Sequence, residues 1–335
     1  MLVAVKELRK NSQLYGDDHK QLKPLLTLTA KNRTEMTASI KIIKRMNGYR
    51  RSASTSNIVC GHYTCKLALG QLHTSGADIA MFDEHSLDQF FTPPKKGSHE
   101  RWAFVSKEAQ NHIYKAPLAA WDGFFNYSVT YVRETEATYY SFRNHIIPRK
   151  IAVAQDFAAK YANRTLRALW FVSHCKDRWK LHKVWSARVE YVQELSKYIP
   201  IDIYTHHHTC RRQLGSLIKN TTQPMLTQYT FYLSFESTLC KDYISEKFWK
   251  VLEAFGPTIP VALGGLSIEE YEYVAPPNSF IHVKNFSSPK ALASHLKFVT
   301  EDADAFRYYH QWRNKYYLPE KKKIEGAGGK KCFMW

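Results

Sequence analysis

The stretch richest in chemistry runs from Phe231 to Trp249, FYLSFESTLCKDYISEKFW. An alternating apolar run, with Tyr229, Phe231, Leu233 and Phe235 on one side, ends in the carboxylate of Glu236. A polar loop follows. Ile244, Phe248, Leu252 and Phe255 then recur at helical spacing. This pattern predicts a helix beginning near Asp242, with Glu246 and Lys247 in or near its first turn. A helix N-terminus offers N–H groups without intrahelical partners and partial positive charge, which suits a diphosphate. Lys247 adds a full charge there, and Glu246 can accept hydrogen bonds from ribose or sugar hydroxyls. A departing nucleoside diphosphate needs such stabilisation. A plainer reading uses the same residues: Glu near a helix start is an ordinary dipole partner, and Lys is ordinarily solvated.

Other constellations carry less. Three successive side chains, His206, His207 and His208, cannot all point at one ion from a strand, and no partner ligands stand at fixed spacing. We therefore expect a loop without metal. Cysteines at 60, 65, 175, 210, 240 and 332 contain no C-x-x-C pair, which argues against a zinc ribbon or a thioredoxin-type site. An even count suits disulfides in an oxidising lumen but fixes no pairing. Sequons at Asn32, Asn126, Asn163, Asn220 and Asn285 lean toward the secretory pathway. No apolar run of about 18 residues occurs, so nothing in this sequence reads as spanning a bilayer. The formal charge of +18, from 48 Lys and Arg against 30 Asp and Glu, favours anionic partners. It is scattered rather than gathered in a stripe, which argues for a solvated surface and against nucleic acid.

The elements around the charged segment alternate. Residues 1–55 read as a basic, stem-like lead-in. Ile79-Ala80-Met81-Phe82, Trp102-Ala103-Phe104-Val105 and residues 126–131 have strand character. In the second half, Ala168 to Val172, Ile201 to Tyr204, Tyr229 to Phe235, Ile259 to Leu263 and Phe280 to Val283 read as strands. Between them lie helical patterns, one over 185–198 with Val189, Val192 and Leu195 on a face, and one opened by Ser288-Pro289 as N-cap and first helical residue. Such alternation implies an α/β fold with parallel sheets, which bind ligands beyond the carboxyl ends of their strands. We place domain boundaries near 55, 150 and 318: a lead-in, residues 56–150, residues 151–318, and a basic tail at 319–335.

Several ordered blocks then resemble one family, the α-1,3-fucosyltransferases. Phe235-Glu236-Ser237 with Asp242-Tyr243-Ile244-Ser245-Glu246-Lys247 is similar to its FEN and DY-I/V-T/S-EK signature. Pro260-Val261-Ala262-Leu263-Gly264 resembles P-V-V-L-G, and Ala275-Pro276-Pro277-Asn278-Ser279-Phe280-Ile281 resembles APP-x-SFI. Upstream, Trp170 to Cys175 resembles W-x-x-SNC, Arg188 to Tyr204 resembles R-x-x-Y-x-x-EL-x-KYI-x-VD-x-Y, and Phe125-Asn126-Tyr127-Ser128 resembles FN-W/L-T. The likeness spans about residues 60–317.

The resemblance implies a GT-B-type architecture of two Rossmann-like domains facing a cleft. GDP-fucose would bind the C-terminal one, and a GlcNAc-containing glycan or glycoprotein acceptor the N-terminal one. It implies inverting transfer in α-1,3 linkage, with a general base that deprotonates the acceptor hydroxyl. By position that base is Glu108. Arg188 and Lys247 match basic residues at the diphosphate; Tyr243 and Glu246 match donor contacts near ribose and fucose; Ser173, Glu236 and Ser237 lie where donor contacts fall. No metal is implied, and Mn2+ would at most stimulate. The family's setting is the Golgi lumen, with membrane association through an anchor that these residues do not contain. The chain departs from the pattern at Ser237 and His174 (each for Asn), at Ala109-Gln110 (for Ser-Pro), across Tyr131 to Glu136 (for YR-x-DSD), at 205–208 and after Tyr317. These departures support an alternative: an inactive relative that binds GDP-fucose or glycan without turnover.

Overall fold

The computed structural model describes residues 41–46, 54–60, 63–71, 76–83, 87, 93, 95–109, 118–135, 137–138, 146–173, 175, 187–205, 208–215, 218, 226–254 and 256–317. Their structure falls into two compact units. Described residues up to 105, with 118–128, make the first; 106–109 and 129–317 make the second.

The first unit is built on strands β1 (Lys41–Met46), β2 (Ser54–Cys60), β3 (Tyr63–Gln71), β4 (Ile79–Asp83) and β5 (Arg101–Val105), in the order β2-β3-β1-β4-β5. β1 runs parallel to both β3 and β4, with Ile43 opposite Leu67 on one side and Ile79 on the other. It is therefore an interior strand, and the lead-in expected over 1–55 is corrected for this segment. Basic residues around Ile42-Ile43 hid a strand whose backbone is paired on both edges. Residues 1–40 lie outside the described residues. The core of this unit is aromatic: Phe82 meets Trp102 at 4.8 Å between ring centroids, and Trp121 stacks on Phe125 at 5.6 Å. β6 (Tyr127–Thr130) begins in this unit and ends in the second, where Val129 and Thr130 pair in parallel with β7 (Ala137–Thr138).

The break expected near 150 falls earlier in the chain for a physical reason. The Ser106 N–H donates to the Val129 carbonyl at 3.0 Å. β8 (Ile147–Pro148) pairs antiparallel with Tyr316–Tyr317, and the Arg149 N–H donates to the Lys315 carbonyl at 2.7 Å. Residues 146–150 are thus bonded into the second unit.

That unit centres on a parallel sheet. Its strands are β9 (Ala168–Phe171), β10 (Ile201–Tyr204), β11 (Phe231–Phe235), β12 (Ile259–Leu263) and β13 (Ile281–His282), in the order β10-β9-β11-β12-β13. Helix α1 (Arg188–Leu195) joins β9 to β10, and α2 (His208–Leu214) follows β10. α3 (Glu246–Glu253) joins β11 to β12, α4 (Ile268–Val274) joins β12 to β13, and α5 (Pro289–Glu301) follows. Both faces are covered, so every residue of β11 is buried. Phe231, Leu233 and Phe235 share a core with Val192 and Leu195 of α1 and with Leu292 and Leu296 of α5. Tyr229, expected on that same side, instead precedes the strand and packs with Leu169, Tyr232 and Val251 of α3. Phe248 and Leu252 of α3 pack with Tyr271 of α4 and Phe280 in a third cluster.

Caps set the helix starts. Ser288 Oγ accepts from the Ala291 N–H at 3.1 Å, with Pro289 in the first turn. Ser267 and Glu270 form a reciprocal capping box on α4. A disulfide between Cys175 and Cys210 ties the segment after β9 to α2. Closing a loop of that size removes unfolded-state entropy equivalent to about 4 kcal/mol.

One close approach is demanding. A Cβ on Gly265, just past β12, would lie 2.5 Å from the Leu239 carbonyl carbon and 2.6 Å from the carbonyl oxygens of Leu239 and Cys240. These are backbone atoms of the β11–α3 loop and cannot rotate away. Gly265→Ala is expected to destabilise the chain by about 1–3 kcal/mol through overpacking. Circular-dichroism melting should register a fall in Tm of several degrees, and an unchanged Tm would mean that the loop yields freely.

Candidate active site

In the second sheet the strand order changes direction between β9 and β11. Chain leaving β9 proceeds to β10 on one side, whereas β11, β12 and β13 follow on the other. Open parallel sheets place ligands beyond the carboxyl ends of the strands at such a point. The residues standing there are Ser173, exposed beyond β9, and Glu236 and Ser237, which follow β11.

Glu236 is buried. Its N–H donates to the Leu263 carbonyl at 2.8 Å, extending the pairing of β11 with β12. Its Oε1 accepts from both the N–H and the Oγ of Ser245, at 2.9 and 3.0 Å. Burial pushes its carboxyl up to about 7, against the opposing pull of the Ser245 bonds, Lys247 and Arg188. Ser245 stands at the N-cap of α3 but makes no side-chain cap bond. The first-turn N–H groups of α3 are therefore left without its help. The helix begins at Glu246 rather than near Asp242, because Asp242 takes a left-handed backbone, φ 62°, that ends any helical run.

Lys247 Nζ pairs with Glu246 Oε1 at 3.1 Å, and both side chains are partly exposed at the start of α3. Arg188, the first residue of α1, is buried and its Nη1 donates to the Phe235 carbonyl at 2.8 Å. Its guanidinium lies 5.9 Å from the centre of the Trp170 ring. Burial draws its pKa down to about 10, opposed by Glu236, Tyr243 and Tyr232. It stays charged at neutral pH.

Tyr243 joins these groups to Glu108. Its buried ring meets Tyr131 edge-on at 5.0 Å, and Ala109 packs in the same cluster. Burial raises the Tyr243 phenol, followed by the charges of Glu236, Glu108 and Glu246, with Arg188 opposing. Glu108 itself is half-buried in a turn where its N–H donates to Ser106 Oγ at 3.3 Å. The structure thus gathers Glu108, Arg188, Glu236, Tyr243, Glu246 and Lys247, with Ser237 next to Glu236 and Ser173 exposed beyond the neighbouring strand β9.

Sequence reasoning missed Arg133, Asp242 and Glu270, whose ion pairs cross this loop. Asp242 sits inside the recognised signature and Arg133 inside the stretch that stands for YR-x-DSD, but neither pattern says that the two side chains meet. Among the described residues no group of three or more His, Cys, Asp or Glu is placed to hold a metal ion. His206 and His207 lie outside them, and His208 opens α2. No described helix is long and apolar enough to cross a membrane.

Comparison with known proteins follows the same lines. The model of glycosyltransferase family 10 (fucosyltransferase), C-terminal part, matches residues 161–332. This chain belongs to that family. The match runs past Tyr317, so the stretch set apart at 319–335 falls within it up to residue 332. Human 4-galactosyl-N-acetylglucosaminide 3-alpha-L-fucosyltransferase FUT5 is 34% identical over 66% of this chain and 54% of its own length. Glycoprotein 3-alpha-L-fucosyltransferase A of Drosophila melanogaster is 30% identical over 76% of this chain and 48% of its own. The chain thus spans about half the length of these relatives. A crystal structure of an alpha1,3-fucosyltransferase with GDP-fucose aligns over 84% of this chain and 86% of its own, with TM-score 0.47 and 14% identity. No residue role is carried across at that level.

The raised carboxyl of Glu236 has a consequence for stability. A group whose pKa rises from 4.5 to about 7 on folding stabilises the fold fully below pH 4.5. That contribution is lost as pH climbs through 7, by about 3 kcal/mol in all. Glu236→Gln keeps an acceptor for Ser245 and should flatten the fall of Tm between pH 5 and about 7.5 relative to wild type. Parallel pH–Tm curves for the two proteins would refute the assigned burial.

Proposed function

We propose that the chain transfers L-fucose from GDP-fucose to a GlcNAc-containing glycan acceptor in α-1,3 linkage, with inversion at the anomeric carbon. The observation that carries this reading is the start of α3 beyond the strand ends at the switch in strand order, where Ser245 makes no side-chain cap bond and Glu246 and Lys247 stand partly exposed. Membership of the fucosyltransferase family supports it.

In the proposed step the acceptor hydroxyl oxygen attacks the fucose anomeric carbon, and the bond from that carbon to the phosphate oxygen breaks. The hydroxyl proton goes to the Glu108 carboxylate, and the bonding electrons leave with GDP. Lys247, the N–H groups at the start of α3 and the buried charge of Arg188 meet the charge growing on the diphosphate. Tyr243 and Glu246 orient ribose and fucose, with Ser173, Glu236 and Ser237 shaping the donor side. In this scheme protein cations carry the charge balance, no metal is required, and added Mn2+ would do no more than stimulate. A Golgi-lumenal setting fits the Cys175–Cys210 disulfide, which persists in oxidising compartments.

A second reading, a relative that binds donor without turnover, draws on Ser237 and Val132, which stand where the resemblance expects Asn and Arg. Radiolabelled GDP-fucose with lactosamine and chitobiose-core acceptors separates the two, since donor binding without transfer to any acceptor would favour the second.

Lys247→Ala should lower kcat/KM by about 100-fold or more, the cost of losing one preorganised charge at the leaving group, with Tm nearly unchanged. Wild-type turnover in that variant would remove Lys247 from the diphosphate. Glu108→Gln should reduce kcat by about 100-fold to 10,000-fold while leaving GDP affinity intact. A normal rate there would reassign the base.

A further inference from the structure

A turn far upstream in sequence holds the β11–α3 loop. After β6, the Val132 N–H donates to Thr130 Oγ1 at 3.1 Å, and Thr135 Oγ1 donates to the Val132 carbonyl at 2.8 Å. Arg133 projects from this self-bonded turn. Its Nε donates to Asp242 Oδ1 at 2.6 Å and its backbone N–H to Asp242 Oδ2 at 3.3 Å. Its Nη2 donates to Glu270 Oε1 at 3.0 Å. The other Glu270 oxygen accepts from the Ser267 N–H at 2.8 Å, inside the α4 capping box. The guanidinium also lies 5.7 Å from the centre of the Tyr273 ring.

One side chain therefore joins the loop after β11 to the start of the helix after β12, both at the carboxyl edge of the parallel sheet. The Asp242 side chain is 1% exposed, so its charge depends on donors supplied from within the protein. Both of its oxygens are occupied by Arg133, and they fix the left-handed backbone immediately before Tyr243. Nearby, Lys241 Nζ pairs with Glu134 Oε1 at 3.0 Å, so the same turn also reaches the exposed side of the loop.

We propose that Arg133 is a positioning residue for the donor. Through Asp242 and Glu270 it holds residues 239–245 in the shape that presents Tyr243 and the start of α3. It touches no reacting atom. The inference rests on the donor reading given above, and its test has an arm that does not.

The variants are Arg133→Met, Arg133→Lys and Asp242→Asn, compared with wild type on the full chain. Asn tolerates the left-handed backbone at 242, so Asp242→Asn removes the charge and spares the turn. The KM for GDP-fucose should rise, and GDP affinity fall, by about tenfold in Arg133→Met and Asp242→Asn, with kcat much less affected. Arg133→Lys, which keeps the charge but not the fork, should recover part of the loss. The double variant Arg133→Met/Asp242→Asn should be no worse than either single, as for two members of one ion pair. Limited trypsinolysis after Lys241 should be about fivefold faster in Arg133→Met, because the loop opens more often.

Additive losses in the double variant would overturn the pairing. Unchanged donor KM with faster cleavage would overturn the positioning role. Unchanged cleavage would overturn the clamp itself. If the wild-type chain bound no GDP, the donor site would fall, and the cleavage rate would still decide whether Arg133 holds the loop.

Discussion

A carboxylate shut away from water must find donors inside the protein or give up its charge, and Glu236 does some of both. It is buried past the end of β11, and its one bonded oxygen takes the N–H and Oγ of Ser245. This clasp fixes where α3 begins relative to the sheet. It also consumes the hydroxyl that would otherwise cap the helix. An N-cap serine costs about 1 kcal/mol when its cap bond is lost. The arrangement accepts such a cost and leaves the first turn of α3 able to bond something from outside. An anion at that turn would supply what the missing cap does not. The desolvation that burial imposes, rather than any single ion pair, sets the electrostatics of the region. It raises the Glu236 carboxyl and the Tyr243 phenol and lowers Arg188.

The sheet of the second unit was legible because its signals are local. β12 is a short apolar run stopped by Gly264-Gly265, and Ser288-Pro289 marks a helix start by chemistry that needs no partner elsewhere. The order of the strands was not legible. It depends on which edge each crossover returns to, and no residue pattern in a single strand encodes that. β1 shows the opposite failure. Its Ile42-Ile43 pair is embedded among lysines and arginine, so composition masked a strand whose place is set by neighbours on both sides.

The site divides in the same way. Glu236, Tyr243, Glu246 and Lys247 are close in sequence, so one motif exposes them together. Glu108 could be found only through resemblance, because its link to Tyr243 passes through a turn and the packing of Ala109 against two tyrosines. Arg133 lies 109 residues from Asp242 and 137 from Glu270, and neither separation leaves a periodic trace. The tasks also differ from what spacing alone suggests. Glu236 reads as a ligand contact, yet its side chain is engaged by Ser245. Arg188 reads as a phosphate-binding cation, yet its Nη1 is bonded to a strand carbonyl.

These separations bear on whether the departures from the family pattern disable the chain. Val132 removes a cation from the turn after β6, but Arg133 stands beside it and makes two ion pairs from the same turn. At the strand ends, Ser237 is shorter than the expected Asn, but it follows Glu236, whose clasp on Ser245 is complete. Neither change leaves a buried charge without a counter-charge or breaks the start of α3. A site relieved of its task would tolerate loss of the costly groups first: a buried arginine, a buried carboxylate and a left-handed aspartate. All three are present here, Arg188 bonded to the Phe235 carbonyl, Glu236 to Ser245 and Asp242 to Arg133, so the groups that cost most to keep are the ones retained.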